Sequence, residues 1–262
     1  MKARIMLLIL VLGVLLVWTP PAKAITFGTL DNGLHPNVGA LLFKLEDDSM
    51  AMVCSGTLIS PTIFLTASHC VAWMPSAGIS AEDVFVTFAD EIGEGPFYRA
   101  ASYHVNPNYG HDEANPFDVA VVVLEDPIID IAPAHLPTAG LLHDLKAEGS
   151  LKYQRFVAVG YGTVREDKTH DGQSLFWDPV RRYAEQEPLA LEPSWLLISM
   201  NPSTGNGGTC YGDSGGPHFL SDTNIVVAVT VTGDRFCRAT DKTYRMDTPS
   251  AREFLGQFVP LP

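Results

Sequence analysis

The chain is short of cysteine, short of positive charge and, past its first residues, without a long apolar run. Four cysteines in 262 residues, with no Cys-x-x-Cys pair and no Cys/His set at zinc-finger spacing, give no ground for a structural metal; neither metal nor cofactor is expected. Lys and Arg number 17 against 30 Asp and Glu, and after residue 24 the acids are in excess by 16 over 238 residues. That sign argues against nucleic acid and anionic membrane as partners. Nothing after Trp18 is long and apolar enough to span a bilayer. Repeats at fixed period and low-complexity tracts are absent, and Asn201-Pro-Ser203 is blocked as a glycan acceptor by its proline.

At 46% hydrophobic residues the composition is that of a folded, soluble chain. Met1 to Arg4 is cationic, Ile5 to Trp18 is apolar, and Thr19-Pro-Pro-Ala-Lys-Ala24 ends in small residues spaced Ala-x-Ala. This is the order of a secretory signal peptide over residues 1–24, which leaves a secreted chain beginning at Ile25 with no membrane contact after cleavage. In an oxidising compartment four cysteines suggest two disulfides. Three connectivities are possible. Pairing in sequence order, Cys54 with Cys70 and Cys210 with Cys237, is the expectation adopted.

The remaining 238 residues can form one large β domain or two packed units. Short β-rich runs broken by Gly, Pro, Asn and Asp recur at 38–45, 56–59, 63–66, 84–88, 119–124, 156–161, 195–200 and 225–232. Such runs indicate an all-β architecture of antiparallel barrels or sandwiches. A Pro-rich, weakly patterned stretch over 127–149 separates two halves. The division expected is a first barrel over 25–137, a second over 150–247, and a C-terminal helix over 249–259. Thr248 is positioned to cap that helix, Pro249 suits its first turn, and Phe254, Leu255 and Phe258 share a face.

Three short motifs carry the chemistry. Gly212-Asp-Ser-Gly-Gly-Pro217 sets a serine among glycines, where the backbone can turn sharply and leave N–H groups free for an anion. A serine hydroxyl is a weak nucleophile until a base takes its proton. Thr66-Ala-Ser-His-Cys70 offers His69 for that role, beside a cysteine able to pin its turn. A third group must hold the imidazole, and Asp118, heading the run Asp118-Val-Ala-Val-Val-Val-Leu124, fits it.

These motifs, with Cys54-Ser-Gly-Thr-Leu-Ile59 and Val159-Gly-Tyr-Gly162, resemble the trypsin/chymotrypsin family of serine endopeptidases over nearly the whole chain after residue 24. The order His69, Asp118, Ser214 is the family's; α/β-hydrolases run Ser, Asp, His, and His218 lies too close behind Ser214 to serve there. The resemblance implies two six-stranded antiparallel Greek-key barrels with a C-terminal helix. It also implies a catalytic triad of His69, Asp118 and Ser214, and an oxyanion hole at the N–H groups of Gly212 and Ser214. In the family the free amino terminus pairs with the Asp before the nucleophile. Here that pair is Ile25 with Asp213, and signal cleavage would create the terminus directly.

By the same resemblance Gly208 stands where tryptic members carry an Asp, so strict tryptic cleavage is disfavoured. Thr232, where the family commonly has Trp, and Gly233 belong to the pocket wall. Asp241 and Lys242 fall near a position often held by glycine, and Lys242 is placed in the pocket. The expected partners are a polypeptide substrate and proteinaceous inhibitors of a monomeric enzyme. The alternative is a catalytically silent binding protein on the same scaffold. His104, His111 and Asp112 fit no known metal-ligand spacing.

Overall fold

The computed structural model describes residues 25–110, 112–165, 175–221 and 223–262. The expected signal peptide and His111 lie outside them. The chain order begins with β1 (Thr29–Leu30), β2 (Val38–Lys44), β3 (Met50–Ser60), β4 (Ile63–Thr66), α1 (Ser68–Val71), β5 (Val84–Thr87), β6 (Tyr98–Val105) and β7 (Ala120–Leu124). Strands β2 to β7 close an antiparallel barrel in the order β2-β3-β4-β7-β6-β5. Its core is Leu41, Leu58, Phe64, Val86 and Val122, all fully buried.

The chain then runs α2 (Leu141–Ala147), β8 (Phe156–Gly160), β9 (Thr163–Arg165), β10 (Leu175–Trp177), β11 (Arg182–Leu191), β12 (Trp195–Ser199), β13 (Pro217–Leu220), β14 (Val226–Gly233), β15 (Thr240–Arg245) and α3 (Pro249–Leu255). Strands β11-β12-β15-β14-β13-β8 form one antiparallel sheet, and pairing of β8 with β11 closes the second six-stranded barrel. The connection expected to be weakly patterned contains α2. The final helix stops at Leu255, four residues short of the expected limit, at Gly256. Its start is as read: Thr248 Oγ1 accepts from Ala251 N at 3.3 Å and Pro249 opens the first turn.

The two ends of the described chain cross between the halves. Residues 25–30 were expected in the first barrel but join the second, where β1 pairs with β11 and Thr26 bridges Gly208. At the other end, α3 packs back toward the first half: Arg252 Nη1 donates to Pro137 O, and the Phe258 ring lies 5.1 Å from that of His104. A buried polar knot joins the barrels as well. Arg181 donates to Asp31 Oδ2 (2.9 Å), to the carbonyls of Val38 (3.1 Å) and Phe88 (2.8 Å), to the Tyr161 hydroxyl (2.9 Å) and to Asp90. Burial raises the Asp31 carboxyl, but bonds from His35 and the Arg181 charge outweigh it and leave the group below its ordinary value. The guanidinium spends its donors on both halves and so ties them at the seam.

Candidate active site

His69 sits in the single turn of α1, directly after β4. Its backbone N–H donates to Asp118 Oδ1 (2.9 Å) and its Nδ1 lies 2.8 Å from Asp118 Oδ2, so one carboxylate grips both the main chain and the ring. The residues alongside are tied too: Ser68 Oγ donates to the Val119 carbonyl at 2.7 Å. Asp118 is buried while the His69 side chain remains 30% exposed, which leaves Nε2 as the ring nitrogen with no partner among the described residues. The Cys54–Cys70 disulfide anchors α1 to β3, and its sulfurs and an imidazole nitrogen lie within 4.8 Å of one another. Both sulfurs are bonded, so this is a brace and not a ligand set.

Ser214 lies in the loop between Cys210 and β13. Its carbonyl accepts from Ser55 N at 2.9 Å, and Ser55 Oγ donates to the Gly212 carbonyl at 3.1 Å. Ser55 belongs to β3, next to the cysteine that braces α1, so one strand positions both the nucleophile loop and the histidine turn. Gly215 (φ +76°) completes the contact. A Cβ there would stand 2.1 Å from Thr66 Oγ1 and 2.8 Å from Ala67 N, in the segment leading into His69. Among the described residues the N–H groups of Gly212 and Ser214 have no acceptor, and the Ser214 hydroxyl makes no hydrogen bond to His69 Nε2.

Asp213 is fully buried between them. Gly162 N and Cys210 N donate to its two oxygens at 2.8 Å each, and a Cβ at Gly162 would lie 2.5 Å from the carboxylate. That close approach explains the glycine in the motif around Tyr161. Desolvation outweighs the two backbone bonds and pushes the Asp213 carboxyl up to about 7, and the nearby Asp241 charge raises it further. No cation reaches it among the described residues. Ile25 is buried, and Thr26 beside it exchanges bonds with Gly208 through Oγ1 (2.8 Å) and O (3.0 Å).

A cavity of about 330 Å³ opens beside Ser214, lined by Thr209, Tyr211, Thr230, Thr232 and Gly233 among others. The Cys210–Cys237 disulfide joins the nucleophile loop to the far wall of this cavity. A second cavity, of about 400 Å³, holds His69 and Asp118 and shares Val231 and Thr232 with the first. Lys242, expected in the pocket beside Gly208, lies instead in this second cavity, with Nζ 4.3 Å from the centre of the Trp195 ring. The register explains the correction. Thr232 pairs with Lys242 and Gly233 with Asp241, and because neighbours on a strand face opposite ways, Asp241 turns into the barrel and Lys242 away from it. Ser55 is the residue beside the site that sequence reading did not assign. Ser55 lies inside a motif but reveals its role only through cross-barrel bonds.

Family comparison agrees with this geometry. The Trypsin family model matches residues 32–254. Clotting factor C of Tachypleus tridentatus is 29% identical over 205 residues, covering 68% of this chain and 19% of that protein, so the chain spans about a fifth of the clotting factor's length. A trypsin of Saccharopolyspora erythraea is 28% identical over 195 residues, 71% of this chain and 77% of the relative. Among solved structures, one titled "HL collagenase" superimposes with a TM-score of 0.60 at 22% identity, covering 86% of this chain and 94% of that one; this likeness concerns the fold. The two-barrel scaffold is that of the serine proteases. The chain belongs to the trypsin family.

Proposed function

We propose that the protein is a secreted serine endopeptidase working through an acyl-enzyme. The observation that carries this reading is the two-point hold of Asp118 on His69, which fixes the ring with Nε2 turned to the cleft. Ser214 Oγ attacks the scissile carbonyl carbon as His69 Nε2 takes its proton. The carbonyl oxygen becomes an oxyanion, for which the unspent N–H groups of Gly212 and Ser214 are the donors. His69 returns the proton to the departing amine, the C–N bond breaks, and a serine ester remains. Water, deprotonated by the same nitrogen, then releases the acid and restores the hydroxyl.

Activation follows from Asp213. A buried carboxyl held near neutrality without a cation is a costly arrangement. Cleavage after Ala24 would free the α-ammonium of Ile25, a residue already buried in this region, to pair with it and hold the loop in its anion-binding form. The competing reading, a silent binding module, has one observation in its favour, the unmade Ser214–His69 hydrogen bond. Labelling with a serine-directed phosphonate, followed by mass spectrometry, separates the two. The peptidase acquires the adduct at Ser214 and loses it in His69→Ala; an unlabelled wild-type chain ends the proposal.

A further inference from the structure

The second barrel carries a cleft that shares no lining residue with the cavities at Ser214 and His69. Its volume of about 420 Å³ falls within the range of small-molecule sites. Lys146, near the end of α2, and Lys152, in the helical turn Leu151–Tyr153, line one side; Pro188, Leu189 and Leu191 of β11 line the other. Leu151 and Leu191 are buried and reach the cleft from the barrel core. The register of β11 against β12 slips between Pro188 and Ala190, so Leu189 is the extra residue of a bulge and stands 57% exposed. A bulge re-aims a side chain, and here it turns an apolar one outward beside an apolar base.

The two lysines are the second feature. After residue 24 the acids exceed Lys and Arg by 16, so a surface lysine has carboxylates in abundance. Among the described residues neither Lys146 nor Lys152 has one within ion-pair distance, whereas the neighbouring Arg155 is paired with Glu187. No acid lines the cleft among the described residues. Lys146 Nζ donates to the Leu191 carbonyl at 3.0 Å, and an ammonium has three donors. Lys152 Nζ lies 4.9 Å from the centre of the Tyr153 ring.

An added strand does not fit this edge. Residues 187–191 pair with β12 on one side and with no described strand on the other, but Pro188 has no N–H, the Leu191 carbonyl is taken by Lys146, and the bulge breaks the ladder between them. What fits is a small molecule with one anionic end and an aliphatic body. The anion gains charge-assisted bonds from two ammonium groups, and the leucines take methylenes out of water. We propose that this cleft binds a medium-chain aliphatic carboxylate, with its head between Lys146 and Lys152 and its chain along Leu151, Leu189 and Leu191. The site stands apart from the peptidase reading, and either can fail without the other.

Calorimetric titration of sodium decanoate into the Ser214→Ala chain, which excludes self-digestion, tests it. Binding should saturate at one per chain and strengthen about fivefold for every two methylenes from hexanoate to decanoate, short of the roughly 15-fold that full burial would give, because the cleft is open to solvent. Lys152→Met, which keeps the stem and loses the charge, should weaken decanoate about tenfold. Leu189→Asp should remove binding, and decanol, with the same chain and no charge, should compete poorly. Absence of saturation, equal binding of decanol and decanoate, or an affinity that neither substitution moves overturns the proposal. Binding to phosphatidylglycerol vesicles with none to decanoate also overturns it, since the lysines would then form a membrane contact. Should a variant not fold, the chain-length series and the decanol comparison still decide. Phosphonate labelling of the wild-type chain tests the peptidase reading independently of these results.

Discussion

Asp213 is a carboxyl whose proton affinity reports on the state of the whole nucleophile loop. With Ile25 inside a longer chain, its native-state value lies near 7, above the ordinary carboxylate range of an unfolded chain. A raised acid binds more protons when folded, so its contribution to stability is present at low pH and is lost as pH climbs from about 4 to about 7. A chain whose first residue is Ile25 offers an ammonium to offset that loss. Unfolding midpoints of the two forms should therefore agree near pH 4 and separate toward pH 7, with the Ile25 form the more stable; urea titrations across that range check it. At the nucleophile, Ser214→Ala and His69→Ala should each lower kcat by several orders of magnitude. The double substitution should add little, because the two act as a unit, and additive losses in steady-state kinetics would argue against that unit.

Among the elements, the Cys210–Cys237 bridge is the link between chemistry and recognition, because it ties the serine loop to the cavity wall at the end of β14. Replacing both cysteines by serine should cost about 2–4 kcal/mol in stability. It should also lower kcat/KM on the best substrate more than on a poor one; comparing the two substrates on folded protein separates loss of recognition from unfolding. The elements differ in how plainly the sequence announces them. β4 is found with its ends because Ile63 to Thr66 is a short, wholly buried run bounded by turn residues. β11 and β15 escape notice because their inward positions are largely polar: Arg182 and Gln186 flank Ala184 on one, and Asp241, Thr243 and Arg245 follow each other on the other. Period-two hydrophobicity cannot detect a strand whose buried face carries charge. The site divides along the same line. His69, Asp118 and Ser214 stand in compact motifs, whereas which of Asp241 and Lys242 faces inward depends on a register that follows the turn in which Asp234 Oδ2 accepts from the N–H groups of Arg238, Ala239 and Thr240.

For the molecule as a whole, a buried cation joins the two barrels at their seam. Arg181→Ala would leave the buried Asp31 with His35 as its remaining partner and strip donors from two carbonyls, which should cost about 3 kcal/mol in denaturant unfolding. Ordinary salt should change that figure little, since the pair is shielded from solvent. The surface field behaves oppositely. On the peptidase reading, kcat/KM for peptides of net positive charge should fall as ionic strength rises while that for neutral peptides stays nearly constant, and stopped assays across a salt series measure the difference.

The burial of arginine also bears on how the folded chain meets proteases. Arg165, Arg181 and Arg245 are among the largest fully enclosed side chains, and Arg182 is 9% exposed. Proteolysis takes its bond from an accessible, extended strand, and the fold encloses these four side chains. A protease that cuts after basic residues would find these four bonds only once the barrels open, so limited digestion of the folded chain should spare them and digestion of the unfolded chain should not.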